Sequence, residues 1–154
     1  MTDQRENRND FAVPSYRAER ELLAAREDVW AFLAEPTRLA DWWPGLHGVH
    51  PDRRGLAPGA RWQIESRGRS NVLVGSKLSV AGTIVFIDVE RPTHVSWQFV
   101  HDRYDVDLTL AESGAERTRA SLTVSAPVFA GLRRSLPRRA LTQLYALCQT
   151  GAQV

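Results

Sequence analysis

Apolar and polar positions alternate along much of this chain, and where they do not, they recur at helical spacing. In the segment 15–24, Tyr16, Ala18 and Leu22 alternate with Arg17, Glu19 and Glu21, with one lapse at Arg20, and this period of two predicts a strand. Over 26–36, "REDVWAFLAEP", Val29, Phe32 and Leu33 fall at i, i+3 and i+4 and predict one face of a helix. Glu27 and Asp28 occupy its first turn, where the helix dipole favours acids. Pro36 ends it, and Thr37 is placed to cap a second short helix, "TRLADWW", which Pro44 halts.

Period two then returns. "LHGVHPDRR" is a weak strand, and "PGARWQIESR" a stronger one with Ala60, Trp62, Ile64 and Ser66 opposite Arg61, Gln63, Glu65 and Arg67. "KLSVAGTIVFIDVE" is long and rich in β-branched residues, and Gly82 within it suggests a bulge or bend. "ERPTH" reads as a turn. In "HVSWQFV", Val95, Trp97 and Phe99 share a face; in "YDVDLTL", Tyr104, Val106, Leu108 and Leu110 do. "ESGAE" is a hairpin loop, and "RTRASLTVSA" follows with Ala120, Leu122 and Val124 on one side. From Val128 to Gln149, Leu132, Leu136, Ala140, Leu144 and Leu147 recur at spacings of three and four. Leu141, Tyr145 and Cys148 widen that stripe, Pro137 kinks the helix or starts a second segment, and Gly151 is its stop.

The order is therefore strand, two short helices, six antiparallel strands and one long helix. This is an α+β architecture in which a curved antiparallel sheet of about seven strands wraps around the C-terminal helix. A curved sheet and one helix leave a gap, and the two short helices lie at its mouth. That gives a role to the adjacent rings of Trp42 and Trp43, which sit at the turn where helices meet sheet.

Composition narrows the classes. At 154 residues, 43% hydrophobic and 25% charged, the chain is one domain with room for a core: a polar leader over 1–13 expected to be disordered, then a single domain over 14–154. No stretch approaches the ~20 apolar residues of a membrane span. "MTDQRENRND" has no apolar h-region, so it is not read as a secretory signal. Cys148 is the only cysteine, which excludes an intrachain disulfide and fits a reducing, cytoplasmic setting. The formal net charge is +2 and Lys77 is the only lysine. The arginines are scattered except for Arg133, Arg134, Arg138 and Arg139, which read as a solvated helix face, so no nucleic-acid partner is expected.

Several stretches are similar to a known superfamily. "LLAAREDVWAFLAEPTRLADWWPGLHGV" resembles the opening of START-like helix-grip (SRPBCC) proteins, in its acid-acid-Val-Trp helix, its "AEP" break and its Trp-x-Pro end. "GLAPGARWQI", "VERPTHVSWQF" and "YDVDLTLAESGAERTRASLTV" are similar to later strands of the polyketide cyclase/dehydrase-like branch. The resemblance spans about residues 16–150 and implies the helix-grip fold. Its members include lipid carriers, hormone binders, aromatase/cyclases, ubiquinone-binding proteins and co-chaperones, and it carries no catalytic set onto this chain. The chain departs from it before the first helix, where Ala25-Arg26 replaces the usual Ser or Pro.

The inward faces define the expected ligand site: Trp62, Ile64, Leu78, Val80, Trp97, Phe99, Val106 and Leu122 from the strands, Trp42, Trp43 and His47 from the mouth, and Leu136 and Leu144 from the last helix. Aromatic-lined clefts with few polar points suit flat, apolar or amphipathic ligands. Tyr104, His101 and Ser66 are the polar residues able to act as hydrogen-bond donors or a general acid if the site is catalytic. A register slip of one residue would invert this set and bring Glu65 and Arg67 inside. His47-x-x-His50 lacks the further ligands of a zinc site, and no phosphate loop, nucleophile elbow or dinucleotide fingerprint occurs, so no metal and no cofactor are expected. Three functions follow in rank: binding of a hydrophobic small molecule (lipid, polyketide or isoprenoid-like), cyclase/aromatase chemistry in the same cavity, and a protein-interaction or co-chaperone-like module. The expected assembly is a monomer or homodimer.

Overall fold

In the computed structural model, residues 14–67, 79–126 and 133–151 are described. They form one seven-stranded antiparallel sheet in the order β1-β7-β6-β5-β4-β3-β2, with helices on its inner face. The strands are β1 (Ser15–Leu22), β2 (Leu46–His50), β3 (Arg61–Arg67), β4 (Ser79–Glu90), β5 (His94–Phe99), β6 (Tyr104–Gly114) and β7 (Arg117–Ser125). The helices are α1 (Arg26–Ala34), α2 (Leu39–Trp42) and α3 (Leu136–Gly151). Every strand from β2 to β7 pairs with its neighbour in sequence, and β1 closes the order by pairing with β7. This is the helix-grip arrangement.

Alternation places the core. Trp62 and Ile64, Ile84 and Phe86, Val95, Trp97 and Phe99, Val106, Leu108 and Leu110, and Ala120, Leu122 and Val124 are all buried, while their sequence neighbours on the other face are exposed or half-buried. On that outer face Glu19 meets Arg17, Arg119 and Ser121, and Glu21 meets Arg117, a ladder of paired charges across β1 and β7. The Ser121 hydroxyl, then the two guanidinium groups, hold the Glu19 carboxyl below its ordinary pKa. The lapse at Arg20 has a local reason. Its guanidinium lies 4.3 Å from the ring centroid of Tyr145 on α3, so the charge packs against an aromatic face at the sheet edge.

Three local expectations are corrected. Gly82 is in regular register opposite Ile64, against whose side chain an added Cβ would make only ordinary contact; the bulge in β4 falls instead between Phe86 and Asp88. Ile87 is the extra residue there and is 57% exposed. The bulge resets the phase, so Asp88 points out beside His94 and Val89 pairs with Val95. On α1 the buried stripe is Val29, Trp30 and Leu33, with Phe32 only half-buried beneath Arg38. Thr37 lies within a single 3-10 turn, Pro36–Arg38, and its hydroxyl contacts Glu35 rather than capping α2. The last helix begins at Leu136, so Pro137 sits in its first turn, where its missing N–H costs nothing; the expected start at Val128 lies outside the described residues, as does Leu132.

Candidate functional site

α2 is a single turn, and it exists to deliver two rings. Pro44 blocks its continuation, and Trp43 leaves the helix in an extended conformation with its N–H on the Leu39 carbonyl. Trp42 and Trp43 therefore point inward from a tight corner, each 1% exposed, onto the ends of β5 and β6. Trp43 is the hub. Its ring meets Trp42 at 5.5 Å and Trp97 at 5.6 Å, both edge-on, and stacks on Phe99 at 5.4 Å. Trp42 meets Trp97 edge-on at 6.2 Å. Phe86 joins Trp97 to Trp62, 6.1 and 4.5 Å away, and Tyr104 stacks on Phe99 at 4.3 Å. Such edge and offset-stacked geometries are the favourable ones for aromatic pairs.

Among the described residues, these rings fill the space that was expected to stay open for a ligand. The void bordered by Trp42, Trp62, Phe86, Trp97, Leu33, Leu39, Leu56 and Val95 measures about 10 Å³, roughly the room of one water molecule. A larger groove of about 590 Å³ lies against the other side of α1, with Ala25, Asp28, Phe32 and Cys148 in its walls. Burial, then the charge of Asp28, pushes the Cys148 thiol up to about 11, so it stays protonated and packs as an apolar group.

The polar handles divide sharply. Trp43 donates its indole N–H to the Tyr104 hydroxyl at 3.3 Å, and Trp62 donates to the Gly55 carbonyl at 3.1 Å. The indole N–H groups of Trp42 and Trp97 have no acceptor among the described residues. An unpaired buried donor costs about 1–3 kcal/mol, and this corner carries two of them. Burial drives the Tyr104 phenol far above its usual range against the Trp43 contact, so it remains protonated at neutral pH.

The sequence-nominated residues separate into three groups. Trp42, Trp43, Trp62, Ile64, Trp97, Phe99, Val106, Leu122 and Leu144 all reach the buried interior, and Leu136 is half-buried at its edge. Leu78 and the side chain of Val80 lie outside the described residues. His47 does not reach the mouth. It is the extra residue at a bulge in β2 and turns outward to within 3.6 Å of Glu65, which also approaches His50 at 3.9 Å. Gly48 permits this, because a Cβ there would stand 2.8 Å from a Glu65 oxygen. Ser66 and His101 border one small void of about 10 Å³ with Phe99, and Tyr104 stacks on the same Phe99 ring. The three nominated polar residues therefore gather at one end of the sheet. Ile84, Phe86 and Val95 were missed as site residues, although Phe86 follows in phase from Gly82 and Ile84; Leu56 was missed because its loop has no periodicity to read. Among the described residues, no group of three or more His, Cys, Asp or Glu side chains could hold a metal, and no helix is long and apolar enough to cross a membrane.

A seven-stranded antiparallel sheet gripping a C-terminal helix, with short helices after the first strand, is the helix-grip fold. Within it, the chain belongs to the family described as polyketide cyclase / dehydrase and lipid transport, whose model matches residues 14–148. No curated protein matches the sequence. Solved structures share the fold. A Nitrosomonas europaea protein is similar at 16% identity and a TM-score of 0.68, covering 91% of this chain and 97% of its own. An Arthrobacter aurescens protein is similar at 18% identity and 0.66, covering 88% and 86%. A Mycobacterium smegmatis protein is similar at 20% identity and 0.63, covering 89% and 92%. At these identities the likeness establishes the fold alone.

Proposed function

We propose that this protein binds a hydrophobic or amphipathic small molecule of lipid, polyketide or isoprenoid type in its interior between sheet and C-terminal helix. One observation carries the reading: Trp42, Trp43, Trp62, Phe86, Trp97, Phe99 and Tyr104, drawn from α2 and its C-cap, β3, β4, β5 and β6, converge in one contiguous ring cluster. Aliphatic side chains would fill a core of this size with well-defined rotamers and no polar atoms. Rings with polar edges suit a site that must sort flat or amphipathic guests and re-form around them. The family description is in keeping with this chemistry. Binding at this cluster requires the rings to part, since the void they border among the described residues measures about 10 Å³. Titration with palmitate, 2-naphthol and fluorene, read by tryptophan emission, tests it. Saturable change with at least one is expected; none with any of them overturns the reading.

A second reading, polyketide cyclisation, is favoured by the placement of Ser66 and His101 on one void beside the Tyr104–Phe99 stack. In that case Tyr104 and His101 donate hydrogen bonds to a ketide carbonyl as the chain folds and closes. Tyr104→Phe and His101→Ala would then each lower turnover of a poly-β-keto thioester by about 10²-fold or more; unchanged turnover in both excludes these residues.

A further inference from the structure

Almost every donor near the aromatic interior is paired. The Trp43 and Trp62 indoles have acceptors, and the buried Thr118 hydroxyl donates to the Ala24 carbonyl at 2.8 Å. Nε1 of Trp42 and Nε1 of Trp97 are the exceptions, on rings only 1% and 2% exposed. Both rings border the same void, with Leu56 on its wall. Buried donors are ordinarily satisfied, so two exceptions on one space point to an acceptor brought from outside the chain.

The wall beside them is a loop shaped by glycines. Leu56 lies in the loop between β2 and β3, between Gly55 and Gly59, whose φ values of +68° and +80° are left-handed and suit glycine. Three contacts hold this short segment down: the Trp62 indole on the Gly55 carbonyl, the Gly59 N–H on the Phe86 carbonyl at 2.8 Å, and the Arg54 guanidinium on the Gly59 carbonyl at 3.5 Å. Opening of the Trp62–Gly55 bond would free a third indole donor beside the same void.

We propose that Trp42 and Trp97 form an oxygen-recognition subsite for a flat aromatic ketone, quinone or phenol, entering beneath the Gly55–Gly59 flap. The ligand ring takes the place of Leu56 against Trp62 and Phe86, and its oxygen accepts from the Trp42 and Trp97 N–H groups. This rests on the small-molecule reading above and adds the class of ligand and its polar contacts.

The test compares 9-fluorenone with fluorene, which share a ring system and differ by one carbonyl. The wild-type chain is expected to bind fluorenone at least about tenfold tighter, the worth of one good buried hydrogen bond. Trp42→Phe and Trp97→Phe should each shrink that preference while keeping fluorene affinity within about threefold. Leu56→Ala should tighten both probes, because less must be displaced. Equal affinities in the wild-type chain overturn the subsite, leaving the void to a single water and the small-molecule reading intact; this arm needs no variant to fold. A preference that survives in both Phe variants overturns it as well. Binding of neither probe overturns the subsite, and with palmitate and 2-naphthol also failing it overturns the reading beneath it.

Discussion

At the β1–β7 end of the sheet, α3 lays Ala140, Leu141 and Leu144 over a floor of Leu22, Ala120, Leu122 and Val124, every one of them no more than 1% exposed. The buried hydroxyl there, Thr118, is satisfied, and an open donor near it, Arg26 Nε at the start of α1, belongs to a guanidinium that reaches Glu112 at 3.5 Å. At the β3–β6 end, α2 lays tryptophans over tryptophan and phenylalanine, the burial is as complete, and two donors are left open. Equal burial with unequal polar accounting separates a region built for cohesion from one that keeps capacity for a guest. The aliphatic end holds the fold, and the aromatic end retains unused hydrogen-bonding potential at a cost in stability.

This contrast can be broken most forcefully in the aliphatic end. Leu144→Ala removes a side chain with no exposure, and urea unfolding is expected to show a loss of about 2–5 kcal/mol. Thr118→Val leaves the Ala24 carbonyl without its donor, and an expected loss of about 1–2 kcal/mol by the same measurement would show how fully that end depends on pairing. A finer comparison lies within the aromatic end. Trp62→Phe breaks a hydrogen bond and Trp97→Phe removes a donor that has none. The first is expected to destabilise more than the second by about 1 kcal/mol; equal losses would mean that the Trp97 donor is satisfied in solution.

The smallest effect concerns the outer face and serves as a control on both ends. His94 lies between Asp107 at 2.7 Å and Asp88 at 3.3 Å. Partial burial opposes its charge, but the Asp107 hydrogen bond and both carboxylates outweigh it and raise its pKa above the ordinary 6.5. A raised pKa means that the imidazolium stabilises the fold fully below that ordinary value, and the contribution is lost as pH rises through the folded one. Unfolding free energy is expected to decline over the pH range just above 6.5 in the wild-type chain and to flatten there in His94→Gln, with no change in probe binding.

The element order and the inner faces were legible because both rest on period alone. Trp62, Trp97, Phe99 and Leu122 are buried where alternation puts them. The same signal cannot register an inserted residue, so the bulge at Ile87, which decides that Asp88 faces His94, was invisible, as was the one at His47 that turns the ring outward to Glu65. Nor does period measure fit. Period placed Trp97, and the stop at Pro44 placed Trp42 and Trp43, but whether their rings leave room or interlock depends on ring angles that no linear pattern carries. Leu56 escaped for the opposite reason: its place is set by two glycines and a carbonyl bond within an aperiodic loop.

The indole N–H region of the ¹H–¹⁵N NMR spectrum reads the central claim residue by residue, since the chain has five tryptophans. During titration of the full chain with 9-fluorenone, the Trp42 and Trp97 signals are expected to shift downfield and saturate together, the Trp62 signal to move as its Gly55 bond opens, and that of Trp30, which does not border the void, to stay in place. Trp42 and Trp97 signals that hold still while the others respond, or all five remaining fixed, would contradict the account.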